Sequence, residues 1–128
     1  ILHSSEVVRC ETQDESLWLH GVVDSRQTRG LFQLVTRDRA KISPRGRVRF
    51  AGLDNGCTYR IRPVVVGSEP AGLIAPDWFG PLQESEAADS AWRYFEGIVV
   101  KGSILQQAGL QVPQMFPDQA LLFEVVAQ

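Results

Sequence analysis

Histidine and cysteine, the side chains from which metal centres and nucleophilic sites are most often built, are scarce in this sequence: His3 and His20, Cys10 and Cys57 are all it has. The cysteines lie far apart, without the close pairing of thiol redox motifs or zinc sites, so two reduced thiols are expected and no metal site. His20 stands beside Trp18 in an apolar run and reads as a hydrogen-bonded packing residue rather than a ligand. Gly-x-Ser-x-Gly, a phosphate-cradling Gly-rich loop, His-Glu-x-x-His and Cys-x-x-Cys are all missing, which leaves no recognisable catalytic residue. An excess of charge is missing too. Thirteen basic and 15 acidic residues give a formal net charge of -2, so no global positive field draws in nucleic acid or anionic lipid. Apolar runs such as Val64–Val66 and Ala120–Phe123 fall far short of the roughly 20 residues that cross a bilayer. Ile1–Cys10 has no basic leader followed by a long apolar run. The expectation is a cytoplasmic protein with neither a nucleic-acid nor a membrane partner.

What is present is apolar material in short, regularly interrupted runs. With 44% hydrophobic residues over 128 positions, one domain spanning residues 1–128 with a single core is expected. Leu17–Val23 carries apolar residues on both parities, Leu17, Leu19 and Val23 on one and Trp18 and Val22 on the other. Such a strand suits a sheet covered on both faces. The polar stretch Asp24–Gly30 predicts a turn into a second strand, Leu31–Thr36, making a hairpin. Arg47–Phe50 alternates basic with apolar residues, and Asp54-Asn55-Gly56 predicts a turn before Tyr59–Val66, which reads as a second hairpin. Pro63 marks an edge or a bulge in that strand. Gly67–Ser90 reads as a long surface excursion carrying Trp78 and Phe79, after which Arg93–Val100 returns to strand. Ser103–Ala108 is expected to form a helical turn capped by Ser103 and ended by Gly109, and Leu121–Val126 closes the chain. Many short strands without long amphipathic helices predict an all-β fold, an antiparallel Greek-key β-sandwich.

Two constellations invite a chemical reading. Asp24, Asp38, Asp54, Asp77 and Asp118 are candidates for the paired carboxylates of glycoside hydrolysis, yet each stands in a turn, among arginines or beside a proline, where aspartate is ordinarily structural. Trp18, Trp78, Trp92 and Tyr94 are candidates for a carbohydrate-binding platform, because sugar C–H faces stack on aromatic rings; the competing reading is core packing. Arg37, Arg39, Lys41, Arg45, Arg47 and Arg49 mostly recur at alternate positions, as a solvent-facing strand side requires. Glu84, Glu86 and Asp89 form an acidic patch suited to a wet loop.

One set of ordered motifs is more specific. Arg47-Val48-Arg49-Phe50-Ala51-Gly52-Leu53-Asp54, followed by Tyr59-Arg60-Ile61, then the segment Gly102–Pro113 with Gly109-Leu110, and finally Pro117–Val125, resembles the C-terminal domain of glycoside hydrolase family 36. Leu2-His3-Ser4, Val7-Val8-Arg9 and His20-Gly21-Val22-Val23 resemble the segment that joins this domain to the family's catalytic barrel. The resemblance implies a fragment of a retaining α-galactosidase, a hydrolase of terminal α-galactosides that works through a covalent glycosyl intermediate without a cofactor. The family's catalytic aspartates belong to an upstream (β/α)8 barrel, and no motif of that barrel occurs here, so no catalytic residue is carried over. The partner implied is that barrel, with α-galactoside the substrate of the parent, and homo-oligomerisation and α-N-acetylgalactosaminidase activity left open.

Overall fold

The computed structural model describes residues 5–10, 17–36, 47–66, 70, 72–83, 92–111, 113, 115 and 118–128. In chain order their elements are β1 (Ser5–Cys10), β2 (Leu17–Asp24), β3 (Arg29–Thr36), β4 (Arg47–Val48), β5 (Thr58–Val66), a 3-10 turn (Asp77–Phe79), β6 (Leu82–Gln83), β7 (Trp92–Phe95), β8 (Ile98–Lys101), α1 (Gly102–Gln107), β9 (Leu110–Gln111) and β10 (Gln119–Ala127). Among the described residues every strand pair is antiparallel. The main sheet runs β1-β2-β3-β10-β5-β7-β6, with β8 also on β5, and a small β4–β9 ribbon forms a second sheet. The fold is thus all-β. Its last strand returns across a long connection to lie between β3 and β5, the non-local step that a Greek-key sandwich needs.

The expected β2–β3 hairpin is present, with Leu19 opposite Leu34 and Asp24 oxygens accepting from the Thr28 and Arg29 amides in its turn. One parity of each long strand faces inward: Leu17, Leu19 and Val23 on β2, Phe32 and Leu34 on β3, Tyr59, Ile61 and Val65 on β5, Leu121, Phe123 and Val125 on β10. Over this face lie Val48, Phe50, Leu53, Leu105, Leu110 and Phe79, all buried. Phe32, Phe50 and Phe123 meet edge to face, with centroids 5.2 and 5.8 Å apart, the arrangement that the ring quadrupoles favour.

The second expected hairpin does not form. β4 pairs with β9, and β5 pairs with β10, β7 and β8. The intervening chain is diverted into the core: Phe50 N–H donates to the Leu105 carbonyl of α1 and Leu53 N–H to Gln106 Oε1. The turn expected at 54–56 exists, with the Gly56 and Cys57 amides donating to Asp54, but it joins a buried loop to β5 rather than strand to strand. Ser103 does not cap α1. The helix starts one residue earlier at Gly102, with Lys101 in the cap position and no side-chain cap bond, because the Gly102 amide is already taken by the Cys57 carbonyl. Gly109 does end it, at φ 73°, with its amide and that of Ala108 both donating to the Ile104 carbonyl.

Pro63 stands at a bulge. Val64 is opposite Tyr94 while Ile61 is opposite Ile98, so residues 95–97 face only 62 and 63. β7 and β8 are therefore one strand alongside β5, broken by an extra residue. Pro63, which has no N–H to give, occupies the interval that neither ladder claims. Gly97 makes the bulge possible. Its φ is 74°, and a Cβ there would lie 2.1 Å from the Ile61 carbonyl oxygen. The Gly67–Ser90 excursion is also more than surface. Within its described part Phe79 is fully buried and Trp78 packs beside it.

Gly97→Ala should destabilise the chain by at least about 1–3 kcal/mol through backbone strain alone, read as a lowered urea midpoint. An unchanged midpoint would show that the bulge adapts.

Candidate functional site

The unusual surface is the outward face of the main sheet. Because side chains alternate, the residues opposite the core parity form rows across the strands. The registers give Trp18–Val35–Ala120 as one row, His20–Gln33–Leu122–Val64–Tyr94 as the next, and Val7–Val22–Leu31–Glu124–Arg62 as a third. A fourth contains Arg29, Val126, Arg60 and Val99. Four of the large apolar side chains left in water lie on this one face: Val7 at 78% exposure, Leu31 at 44%, Trp18 and Val99 at 43%. His20, expected to be hydrogen-bonded, has its Nδ1 buried with no hydrogen-bond partner among the described residues, whereas Arg62 and Glu124 satisfy each other. Arg62 Nε and Nη2 both donate to Glu124 Oε1, at 3.0 and 2.8 Å, and the same guanidinium sits 4.0 Å from the centroid of the Tyr94 ring. That cluster combines two charge-assisted hydrogen bonds to one carboxylate oxygen with a cation–π contact.

The four aromatic residues singled out from the sequence do not come together. Trp18 is on the outward face against His20, ring centroids 4.9 Å apart. Tyr94 is also outward but four strands away, next to Arg62. Trp92 shares the strand and parity of Tyr94 and pairs with Val66. Trp78 belongs to the opposite side of the sheet: it stacks on Phe123 at 5.8 Å and 29°, and its indole N–H donates to the Gln111 carbonyl at 2.9 Å. Trp78 is thus a packing residue, whereas Trp18, expected in the core, is half in water.

The carboxylates have local tasks. Asp24 binds the Thr28 hydroxyl and the Thr28 and Arg29 amides, and the Thr28 hydroxyl chiefly holds its carboxyl below the ordinary value. Asp54 Oδ1 accepts from the Gly56 amide in the 54–57 turn; at Asp77 it is the backbone carbonyl that accepts from the Gly80 amide, and Asp118 occupies a left-handed position at φ 65°. Asp38 and the basic residues 37–45 lie outside the described residues, as do residues 84–90 with their acidic patch. Among the described residues no group of His, Cys, Asp and Glu side chains is arranged to hold a metal ion. Cys57 is a free, half-buried thiol.

Two groups stand out that the sequence did not flag. The Arg62–Glu124–Tyr94 cluster was legible only as single charged residues, Arg62 and Glu124, on the outward parity of otherwise apolar strands. Tyr59 joins two turns: its hydroxyl donates to the Gln27 carbonyl and accepts from the Asp54 amide. The Gln27 side chain in turn donates to the Gly52 carbonyl at 3.0 Å. Burial raises the Tyr59 pKa above the ordinary tyrosine value.

The sequence matches no family model and no curated protein. Solved structures do match in shape. A GH36 α-galactosidase, AgaA, from Geobacillus stearothermophilus in complex with raffinose superposes with a TM-score of 0.59 at 16% identity, over 95% of this chain and 13% of that one. An α-galactosidase from Lactobacillus brevis gives 0.58 at 17% identity, over 95% of this chain and 14% of that one. The fold is that of one domain-sized part of a GH36 α-galactosidase. At such identities the likeness is one of fold, and the chain spans only about one-seventh of the α-galactosidases it matches.

Tyr59→Phe should cost about 1–3 kcal/mol by leaving the Gln27 carbonyl and Asp54 amide without a buried partner. Its pH dependence has a definite sign. A raised folded pKa means that the unfolded chain loses this proton first, so the stability it contributes is complete below the ordinary tyrosine range and falls as pH rises through it. Urea midpoints from pH 8 to 11 should therefore fall more steeply for the parent sequence than for Tyr59→Phe; parallel profiles would refute the assignment.

Proposed function

We propose that the chain is the non-catalytic C-terminal domain of a longer α-galactosidase, and that it stabilises the catalytic barrel that precedes it. The observation that carries this reading is the match of fold over 95% of the chain to a small part of two α-galactosidases. The motif order around Gly52-Leu53-Asp54, Tyr59 and Gly109-Leu110 points the same way. Hydrolysis of terminal α-galactosides, with retention and without a cofactor, belongs on this reading to two carboxylates of the barrel. The parent is a cytoplasmic enzyme, and the present domain supplies buried surface rather than reacting groups.

A second reading, a carbohydrate-binding module, rests on the exposed ring of Trp18 beside His20 alone, since Trp78 packs on Phe123 across the sheet and Tyr94 is four strands away. Stacking on a sugar needs a free aromatic face, and Trp18 presents one.

The full-length polypeptide that carries this chain should hydrolyse melibiose and raffinose, and removal of residues 1–128 should lower its melting temperature and soluble yield. Unchanged melting and solubility after removal would defeat the stabilising role. In a tryptophan-fluorescence titration of the 128-residue chain with galactose, melibiose and raffinose through the millimolar range, a flat response is expected. A saturable shift lost in Trp18→Ala would establish the second reading instead.

A further inference from the structure

We infer that Asn55-Gly56 is a site of self-modification: the fold promotes cyclisation of the Asn55 side chain onto the Gly56 nitrogen, and the resulting succinimide opens to isoaspartate or aspartate. Asn55 is the sole asparagine of the sequence.

The argument begins with the nucleophile. The backbone nitrogen after an asparagine can attack the side-chain carbonyl carbon, and glycine puts no side chain in its way. Asp54, Asn55 and Gly56 are all exposed, and a Cβ built on Gly56 would come near only Asp54 Oδ1, at 3.4 Å. The Gly56 nitrogen is therefore unshielded. Its proton has an acceptor as well. The Gly56 N–H donates to Asp54 Oδ1 at 2.8 Å, so a carboxylate stands where a general base must stand.

The electrophile is oriented from α1. Leu53 N–H donates to Gln106 Oε1 at 3.3 Å, and Gln106 Nε2 donates to Asn55 Oδ1 at 2.6 Å. A backbone N–H can only donate, so these two linked bonds fix both side-chain amides: the Gln106 oxygen faces Leu53, and the Asn55 oxygen faces Gln106. The Gln106 N–H thus polarises the Asn55 carbonyl and stabilises the negative charge that its oxygen acquires during attack. The Asn55 NH2, which must leave, is not the group that Gln106 holds.

The reaction balances with water as its other reactant. The Gly56 nitrogen gives its proton to the Asp54 carboxylate and bonds to Asn55 Cγ; the Cγ–Nδ2 bond breaks, and ammonia departs with that proton. Water then opens the ring. Addition at Cγ leaves aspartate at position 55 in an ordinary backbone, whereas addition at the residue 55 backbone carbonyl leaves the chain running through the side chain, longer by a methylene. Either product places a new carboxylate beside Asp54. The longer one must also fit a turn pinned at both ends, by the Asp54 amide on the Tyr59 hydroxyl at 2.9 Å and the Cys57 carbonyl on the Gly102 amide at 2.8 Å. The modification therefore loosens the hold of Tyr59 and the start of α1.

Incubation of the native chain and of the chain unfolded in guanidinium, at neutral pH with isoaspartate read by peptide mapping, tests the inference. Native conversion at position 55 should be severalfold faster than unfolded conversion, and the urea midpoint should fall as isoaspartate accumulates. Gln106→Glu keeps an oxygen for the Leu53 amide but removes the donor to Asn55, and should bring the native rate down to the unfolded one. Gly56→Ala, where the backbone is outside the left-handed region and has room for a Cβ, should slow conversion severalfold in both states and hold its midpoint through the same incubation. If Gln106→Glu does not fold, Asp54→Ser, which keeps an acceptor for the Gly56 amide but removes the base, should slow the native rate in its place. Native conversion no faster than unfolded conversion, or a native rate unchanged by the substitution at 106 or 54, would overturn the inference.

Discussion

The placement of β10 is the constraint on which the rest of the molecule depends. It is the last strand of the chain, yet it lies mid-sheet, with β3 on one side and β5 on the other. Without it the sheet divides into β1–β2–β3 and β5 with its partners, and neither half has a complete inward face. Its central residue, Phe123, is fully buried and its ring meets Phe50, Phe79 and Trp78. These rings come from three distant parts of the chain, so one side chain ties the main sheet to the layer that covers it. Closing such separations costs loop entropy before any contact repays it.

That dependence explains which features the sequence disclosed. Local ones were legible: the β2–β3 hairpin, the inward parity of Tyr59, Ile61, Pro63 and Val65, the 54–57 turn and the stop at Gly109 all follow from alternation or from the backbone demands of single residues. Pro63 was readable as an edge or a bulge because proline withholds a donor, and the structure resolves the alternative as a bulge on the strand opposite. Non-local choices were not legible. Arg47–Phe50 alternates as a strand should, but nothing within it says that its partner is Leu110–Gln111 rather than Tyr59–Val66. The choice was made by Phe50 and Leu53, whose burial requires backbone partners from α1. In the same way Trp78 and Trp18 exchanged their expected settings. A tryptophan in a Pro- and Gly-rich excursion was drawn inward by Phe123, and one in an apolar strand was left outward by the parity of Leu17 and Leu19.

The candidate site was legible in a weaker sense. Apolar residues on both parities of β2 announced a second covered face, but periodicity alone cannot say whether the cover is part of the same domain. Arg62 and Glu124 gave no sign of each other across a separation of 62 residues. Only the register of β10 on β5 makes them opposite neighbours. With Tyr94 beneath the guanidinium, they form a border that is polar yet self-satisfied, closing off the apolar patch at its inner edge.

The two faces of the sheet divide stability from association. The inward face is covered by residues of this chain, so its packing sets the folding free energy and tolerates little change in volume. The outward face is half apolar, with Trp18, Leu31 and Val7 in water and the Arg62–Glu124 pair beside them. The face includes a hollow lined by Gln33, Val64, Ala120 and Leu122. It also offers area, which is what association between protein surfaces uses.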